Sequence, residues 1–120
     1  MTKKIILIID DEKIVQLLLK TRLEANGFEV VIAHDGNEGL EMARSKNPDL
    51  IILDIRMPNK DGISFLNDFR ADDSTNHTTP VIILTADEQI ADLYKKERNL
   101  ECMTKPFKSE LLLEKIKKYI

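Results

Sequence analysis

Apolar runs punctuate the chain at even intervals: Ile5–Ile9, Val30–Ala33, Leu50–Leu53, Val81–Leu84 and a weaker Leu100–Met103. The first, third and fourth are continuous rather than alternating and rich in Ile and Val. Strands covered on both faces read that way, which points to a parallel sheet between layers of helix. Helical stretches separate the runs. Lys13–Asn26 carries Val15, Leu19 and Leu23 at i, i+4 and i+8, a core stripe with Leu18 beside it and Ile14 and Leu17 on the flank. Gly27 closes this stretch as a C-terminal cap. Asn37–Ser45, Gly62–Arg70, Glu88–Arg98 and Ser109–Tyr119 supply the other helices. Asp35-Gly36 turns into the second helix and Asp61-Gly62 into the third, while Pro48 stops the second before the third strand. The alternation predicts one doubly wound α/β domain of five β–α units over residues 1–120.

Composition fits that picture. The 120 residues are 42% hydrophobic and 32% charged, with only 4 Gly and 4 Pro, which excludes low-complexity and collagen-like chains. A net charge of −3, with no basic cluster, argues against direct nucleic-acid binding by this domain. The sole cysteine, Cys102, has no partner for an internal disulfide, as suits a reducing compartment. No apolar stretch approaches the roughly 18 residues a membrane span needs. The start resembles a signal peptide until Asp10-Asp11-Glu12 interrupts it. A soluble, cytoplasmic chain without membrane contact is expected.

In doubly wound sheets ligands bind beyond the carboxyl ends of the strands, where the winding reverses. Asp10, Asp11 and Glu12 follow the first apolar run, Asp54 ends the third, Thr85 follows the fourth, and Lys105 lies beyond the fifth. Three carboxylates at one pole repel one another unless a cation joins them. Such hard oxygen ligands suit Mg²⁺. A hydroxyl from Thr85 and an ammonium from Lys105 suit the oxygens of a tetrahedral anion. Together these groups describe phosphoryl transfer, with one carboxylate able to form an aspartyl phosphate. Taken singly, each is an ordinary cap, strand end or surface charge. His34 and His77 have no companions that would make a triad or metal site, and read as surface or loop residues.

At this point the sequence resembles the receiver domain of two-component response regulators over essentially its whole length. The resemblance rests on Ile8-Ile9-Asp10-Asp11-Glu12, Asp49-Leu50-Ile51-Ile52-Leu53-Asp54, Met57-Pro58-Asn59-Lys60-Asp61-Gly62, Leu84-Thr85-Ala86 and Lys105-Pro106-Phe107. It implies a flavodoxin-like, five-stranded parallel sheet of order 2-1-3-4-5. It implies that Asp54 accepts a phosphoryl group from a histidine kinase or histidine phosphotransfer protein, and that the domain then switches conformation toward a downstream partner. Asp11 and Asp54 would bind Mg²⁺ directly, Asp10 through water and Arg56 through its backbone carbonyl. Thr85, Ala86 and Lys105 would contact the phosphoryl oxygens, and Lys105–Pro106 would be a cis peptide. Such a domain turns over no metabolite.

The chain departs from the family pattern in three places. The aromatic usual three residues before the Lys is Cys102, so the switch pair reads Thr85 and Cys102. The segment from Thr85 to Lys105 is short, and the Gly usual before the fifth strand is missing from Glu97-Arg98-Asn99-Leu100. Arg56 and Asp87 are candidate modulators flanking the site, where a guanidinium paired with Asp87 or with a phosphoryl oxygen would slow an attacking water. Two other readings compete. A hydrolase working through an aspartyl phosphate, of the haloacid-dehalogenase type, places its nucleophile in an Asp-x-Asp motif after the first strand, whereas this chain has adjacent Asp10-Asp11. A receiver degenerated to a docking scaffold would lack an acceptor or metal carboxylate, and none is missing here. The absence of any Gly-x-x-x-x-Gly-Lys stretch excludes a P-loop nucleotidase.

Overall fold

The computed structural model describes residues 3–55, 60–72, 78–93 and 99–120. The elements alternate without exception: β1 (Ile5–Ile9), α1 (Lys13–Ala25), β2 (Glu29–Ala33), α2 (Gly36–Lys46), β3 (Leu50–Ile55), α3 (Lys60–Ala71), β4 (Val81–Thr85), α4 (Glu88–Leu93), β5 (Leu100–Thr104) and α5 (Ser109–Tyr119). All strand pairs are parallel, in the order β2-β1-β3-β4-β5. This is the expected doubly wound fold. The expected helix Glu88–Arg98 is described only to Leu93.

Strand alternation sorts the core into two layers. Leu7, Ile9, Ile51, Leu53, Val81 and Ile83 face Phe65, Leu66 and Phe69 of α3 and Ala43 of α2. Ile6, Ile8, Leu50, Ile52, Ile82 and Leu84 face Leu19 and Leu23 of α1 and Leu112 and Ile116 of α5. The middle strands are buried on both sides, which is why their sequences run apolar without alternation.

Local chemistry explains the helix ends. Asp35 caps α2, its carboxylate accepting the Glu38 N–H at 2.8 Å. Asn47 ends that helix at φ 47°, and Gly27 follows α1 at φ 90°, where a side chain would be strained. Asn99 stands immediately before β5 at φ 59°. The family's missing glycine is therefore replaced by the residue type that best tolerates the left-handed region after glycine itself.

Two expectations need correction. Leu18 does not join the core stripe of α1: it is 66% exposed and borders an open groove of about 690 Å³ between α1 and α5. Gln16, by contrast, is buried, its side chain anchored on the carbonyl of Asp10 in the turn preceding the helix. Asp61-Gly62 is not the turn into α3 but lies within its first turn.

Candidate functional site

The chain leaves β1 toward β2 on one side, then returns to place β3 on the other. The winding therefore reverses between β1 and β3, opening a crevice at their carboxyl ends. Register sets what meets there. Ile9 pairs with Leu53, so Asp10 follows one strand at the level of Asp54 on the next, and Asp54 is level with Leu84. Ile55 pairs with Thr85, and Thr85 with Thr104, one residue before Lys105. The backbone N–H of Lys105 donates to the Thr85 carbonyl at 2.8 Å. Asp10, Asp54, Thr85 and Lys105 are thereby gathered at one pole by strand register alone.

The geometry is that of an anionic pair held by one ammonium. Asp10 and Asp54 are only 3% and 6% exposed. The Lys105 Nζ donates to Asp54 Oδ1 at 2.5 Å, while Oδ2 of Asp54 is buried and accepts no hydrogen bond among the described residues. Asp10 Oδ1 accepts the Glu12 N–H at 2.9 Å. Burial, and then the adjoining Asp54 carboxyl, push the Asp10 carboxyl up to about 7, against the opposing pull of the Glu12 N–H and Lys105. Two buried carboxylates in contact call for a second cation.

The donor set suits a hard divalent ion, which binds through one or two carboxylates and completes its shell with water and carbonyl oxygen. Asp11 sits on the exposed β1–α1 turn. Among the described residues no three acidic, histidine or cysteine side chains converge on one point, so the fit rests on the Asp10–Asp54 pair with Asp11 beside it. Arg56, expected to lend its carbonyl, lies outside the described residues, as do Met57, Pro58 and Asn59.

The other expected residues take definite places. Thr85 is fully buried, and its hydroxyl accepts the Asp87 N–H at 3.0 Å. Asp87 in turn caps α4, Oδ1 accepting the Gln89 N–H at 2.9 Å. Ala86 is exposed beside the site, and Lys105–Pro106 is cis. Cys102, half-buried on β5, packs against the α2–α3 layer. His34 is exposed on Glu38 at 3.0 Å, and His77 lies outside the described residues. One contact was not anticipated from sequence: buried Gln16 donates from Nε2 to the Asp10 carbonyl at 2.5 Å. A polar residue three before Leu19 and seven before Leu23, inside the inward stripe of a helix, is the signal that marks it.

Comparison with known proteins agrees with this geometry. The family model described as "Response regulator receiver domain" matches residues 6–117. The response regulator MprA of Mycobacterium ulcerans is 35% identical over 117 residues, covering 93% of this chain and 48% of its own length. The chain thus spans about half the length of that relative. Response regulator TrrA from Thermotoga maritima, solved in complex with Mg²⁺-BeF, superposes with a TM-score of 0.81 at 35% identity, covering 98% of this chain and 99% of that one. The receiver domain of sensor histidine kinase PA1611 from Pseudomonas aeruginosa PAO1, solved with magnesium coordinated in its active-site cleft, gives 0.83 at 26% identity, with 98% of each chain covered. Among the described residues no helix is long and apolar enough to cross a membrane. The sheet order, the pole it builds and these matches place the chain in the response regulator receiver domain family, a signalling module of two-component systems.

Proposed function

We propose that this domain accepts a phosphoryl group on Asp54 from the phosphohistidine of a histidine kinase or histidine phosphotransfer protein. The observation that carries the reading is a buried Asp54 carboxylate held by Lys105 at 2.5 Å and crowded by Asp10. In the transfer, an Asp54 oxygen forms a bond to phosphorus as the P–N bond to imidazole breaks. Lys105 is placed to move from the carboxylate to a phosphoryl oxygen, and the Thr85 hydroxyl and Ala86 N–H supply the remaining contacts. Asp10, Asp11 and Asp54 would hold Mg²⁺, with the Arg56 carbonyl, and the ion would offset the repulsion between an incoming dianion and these carboxylates.

The same groups support a switch. The Thr85 hydroxyl is committed to Asp87, whose own carboxylate starts α4. Turning that hydroxyl toward phosphate releases the Asp87 N–H and disturbs the cap of α4. With Cys102 in place of an aromatic, hydrogen bonds at the β4–α4 junction carry the change rather than a rotating ring. Arg56 and Asp87 are proposed to set the lifetime of the phosphate. The recipient of the signal is a downstream protein, and this domain makes no nucleic-acid contact of its own.

The test is intact-mass analysis after incubation with a small phosphodonor, with and without Mg²⁺. Wild type gains one phosphoryl mass only with Mg²⁺, and Asp54→Ala gains none. Equal incorporation in both proteins refutes the assignment of the acceptor.

A further inference from the structure

We infer that Gln16 is a positioning residue that fixes the acidic β1–α1 turn for metal binding. The inference rests on the phosphoacceptor reading, since it names what holds that site's metal-side carboxylates. Gln16 lies in the first turn of α1 and is 7% exposed, unusual for an amide side chain on a helix that also carries exposed Ile14 and Leu17. Its Nε2 donates to the carbonyl of Asp10 at 2.5 Å, and its own N–H donates to the Glu12 carbonyl at 3.0 Å.

That carbonyl belongs to the peptide joining Asp10 to Asp11. A peptide unit is planar, so fixing its oxygen fixes the direction in which the Asp11 Cα departs, and hence where the Asp11 carboxylate can reach. The other side of Asp10 is already fixed by its N–H donating to Ala33 on β2 at 3.1 Å. Its carboxylate is oriented by the Glu12 N–H at 2.9 Å. Gln16 thus adds a third restraint on the turn, after the Asp10 N–H and the Asp10 carboxylate. It connects α1 directly to the backbone of Asp10. Removing the amide leaves a buried carbonyl without that donor and lets the peptide plane rotate, changing where the Asp11 carboxylate can reach. Groups standing behind metal ligands typically affect affinity by about 10-fold or more.

Calorimetric titration of Mg²⁺ into wild type, Gln16→Met, Gln16→Asn and Ile116→Val at pH 8 tests this. Methionine keeps the length and removes the donor, asparagine keeps the amide but cannot reach, and Ile116→Val perturbs the core far from the turn. Affinity for Mg²⁺ falls roughly tenfold in both Gln16 variants and stays at the wild-type value in Ile116→Val. In the same proteins, acetyl phosphate labelling at saturating Mg²⁺ changes less than twofold, because the acceptor itself is intact. Unchanged Mg²⁺ affinity in whichever Gln16 variant folds, or an equal loss in Ile116→Val, overturns the inference. Wild type that binds Mg²⁺ tightly but takes no phosphate at Asp54 refutes the acceptor reading while leaving the Gln16 result to stand or fall by its affinities. Wild type that binds no Mg²⁺ removes both.

Discussion

Asp10→Asn makes the metal-free protein more stable at neutral and alkaline pH, although it removes a charged group from the site. The reason is linkage. Asp10 binds its proton at about 7 in the folded chain against 3.8 in the unfolded one. A carboxyl raised on folding contributes stability that is fully present below 3.8 and is lost as pH rises through about 7. Across that window of about three pH units, at about 1.4 kcal/mol per unit, the metal-free wild type gives up on the order of 4 kcal/mol. An asparagine carries no proton to lose, so the variant lacks this slope. Urea unfolding of both proteins in chelator, from pH 4 to 8, measures it as a difference in which the histidines and surface carboxylates cancel. The variant's advantage grows with pH and levels off near 8.

Metal reverses the ordering. Mg²⁺ competes with the Asp10 proton, so its apparent affinity for wild type is roughly tenfold weaker at pH 6 than at pH 8. Saturating Mg²⁺ at pH 8 stabilises wild type and does much less for Asp10→Asn. A wild-type slope that is flat, or that matches the variant's, refutes the reasoning. So does a Mg²⁺ affinity that ignores pH.

Other perturbations probe the frame, the surface and the far end of the sheet. A Cβ at Gly39 of α2 stands 2.6 Å from Ile9 Cδ1 and 3.3 Å from Phe65 Cε1. Gly39→Ala therefore costs about 1 kcal/mol after the gain in helix propensity is set against overpacking, read as a fall of about 4 °C in Tm. Ile14 and Leu17 are 74% and 64% exposed on α1, one turn from Asp11; Ile14→Ser with Leu17→Ser slows transfer from a protein donor but not from acetyl phosphate. Equal losses in both assays would indicate misfolding. Glu101 on β5 accepts from Lys115 at 2.5 Å and from the Tyr119 hydroxyl at 2.7 Å, and burial and this carboxylate push Tyr119 up to about 12. Glu101→Gln brings Tyr119 back toward 10 in an absorbance titration and costs about 1 kcal/mol as the tie from α5 to β5 weakens.

Much of the fold was legible because one physical requirement repeats. A strand buried on both faces must be apolar throughout, and β1, β3 and β4 are. The strand order, 2-1-3-4-5, came from the resemblance to receiver domains rather than from the apolar pattern, and the crevice follows from the order. What could not be read was where helices turn their faces once a polar contact competes with apolar periodicity. In α1, a count of apolar positions favours Leu18, yet Gln16, hydrogen-bonded to the Asp10 carbonyl, takes a buried place beside Leu19 and Leu23, and Leu18 stands on the rim of the groove. Likewise the absent glycine before β5 looks like a defect until Asn99 is found at φ 59°.

The candidate site divides along the same line. Asp10, Asp54, Thr85 and Lys105 were legible because each stands one or two residues past an apolar run, and parallel register brings such offsets to within a residue or two of one level. Position in the strand suffices for them, whatever their side chains do next. Asp87 belongs to the other kind. Sequence placed it near the mouth of the site as a candidate partner for Arg56, which lies outside the described residues. Sequence did not show that one of its oxygens is engaged by the Gln89 N–H and its own N–H by Thr85. An aspartate followed by a helix is both a charge and a cap, and only the backbone path decides which use prevails. Here the cap lies one hydrogen bond from the buried hydroxyl. Were Thr85 drawn toward a phosphate on Asp54, the change would reach the start of α4 through two short contacts, whatever Asp87 does at the mouth of the site.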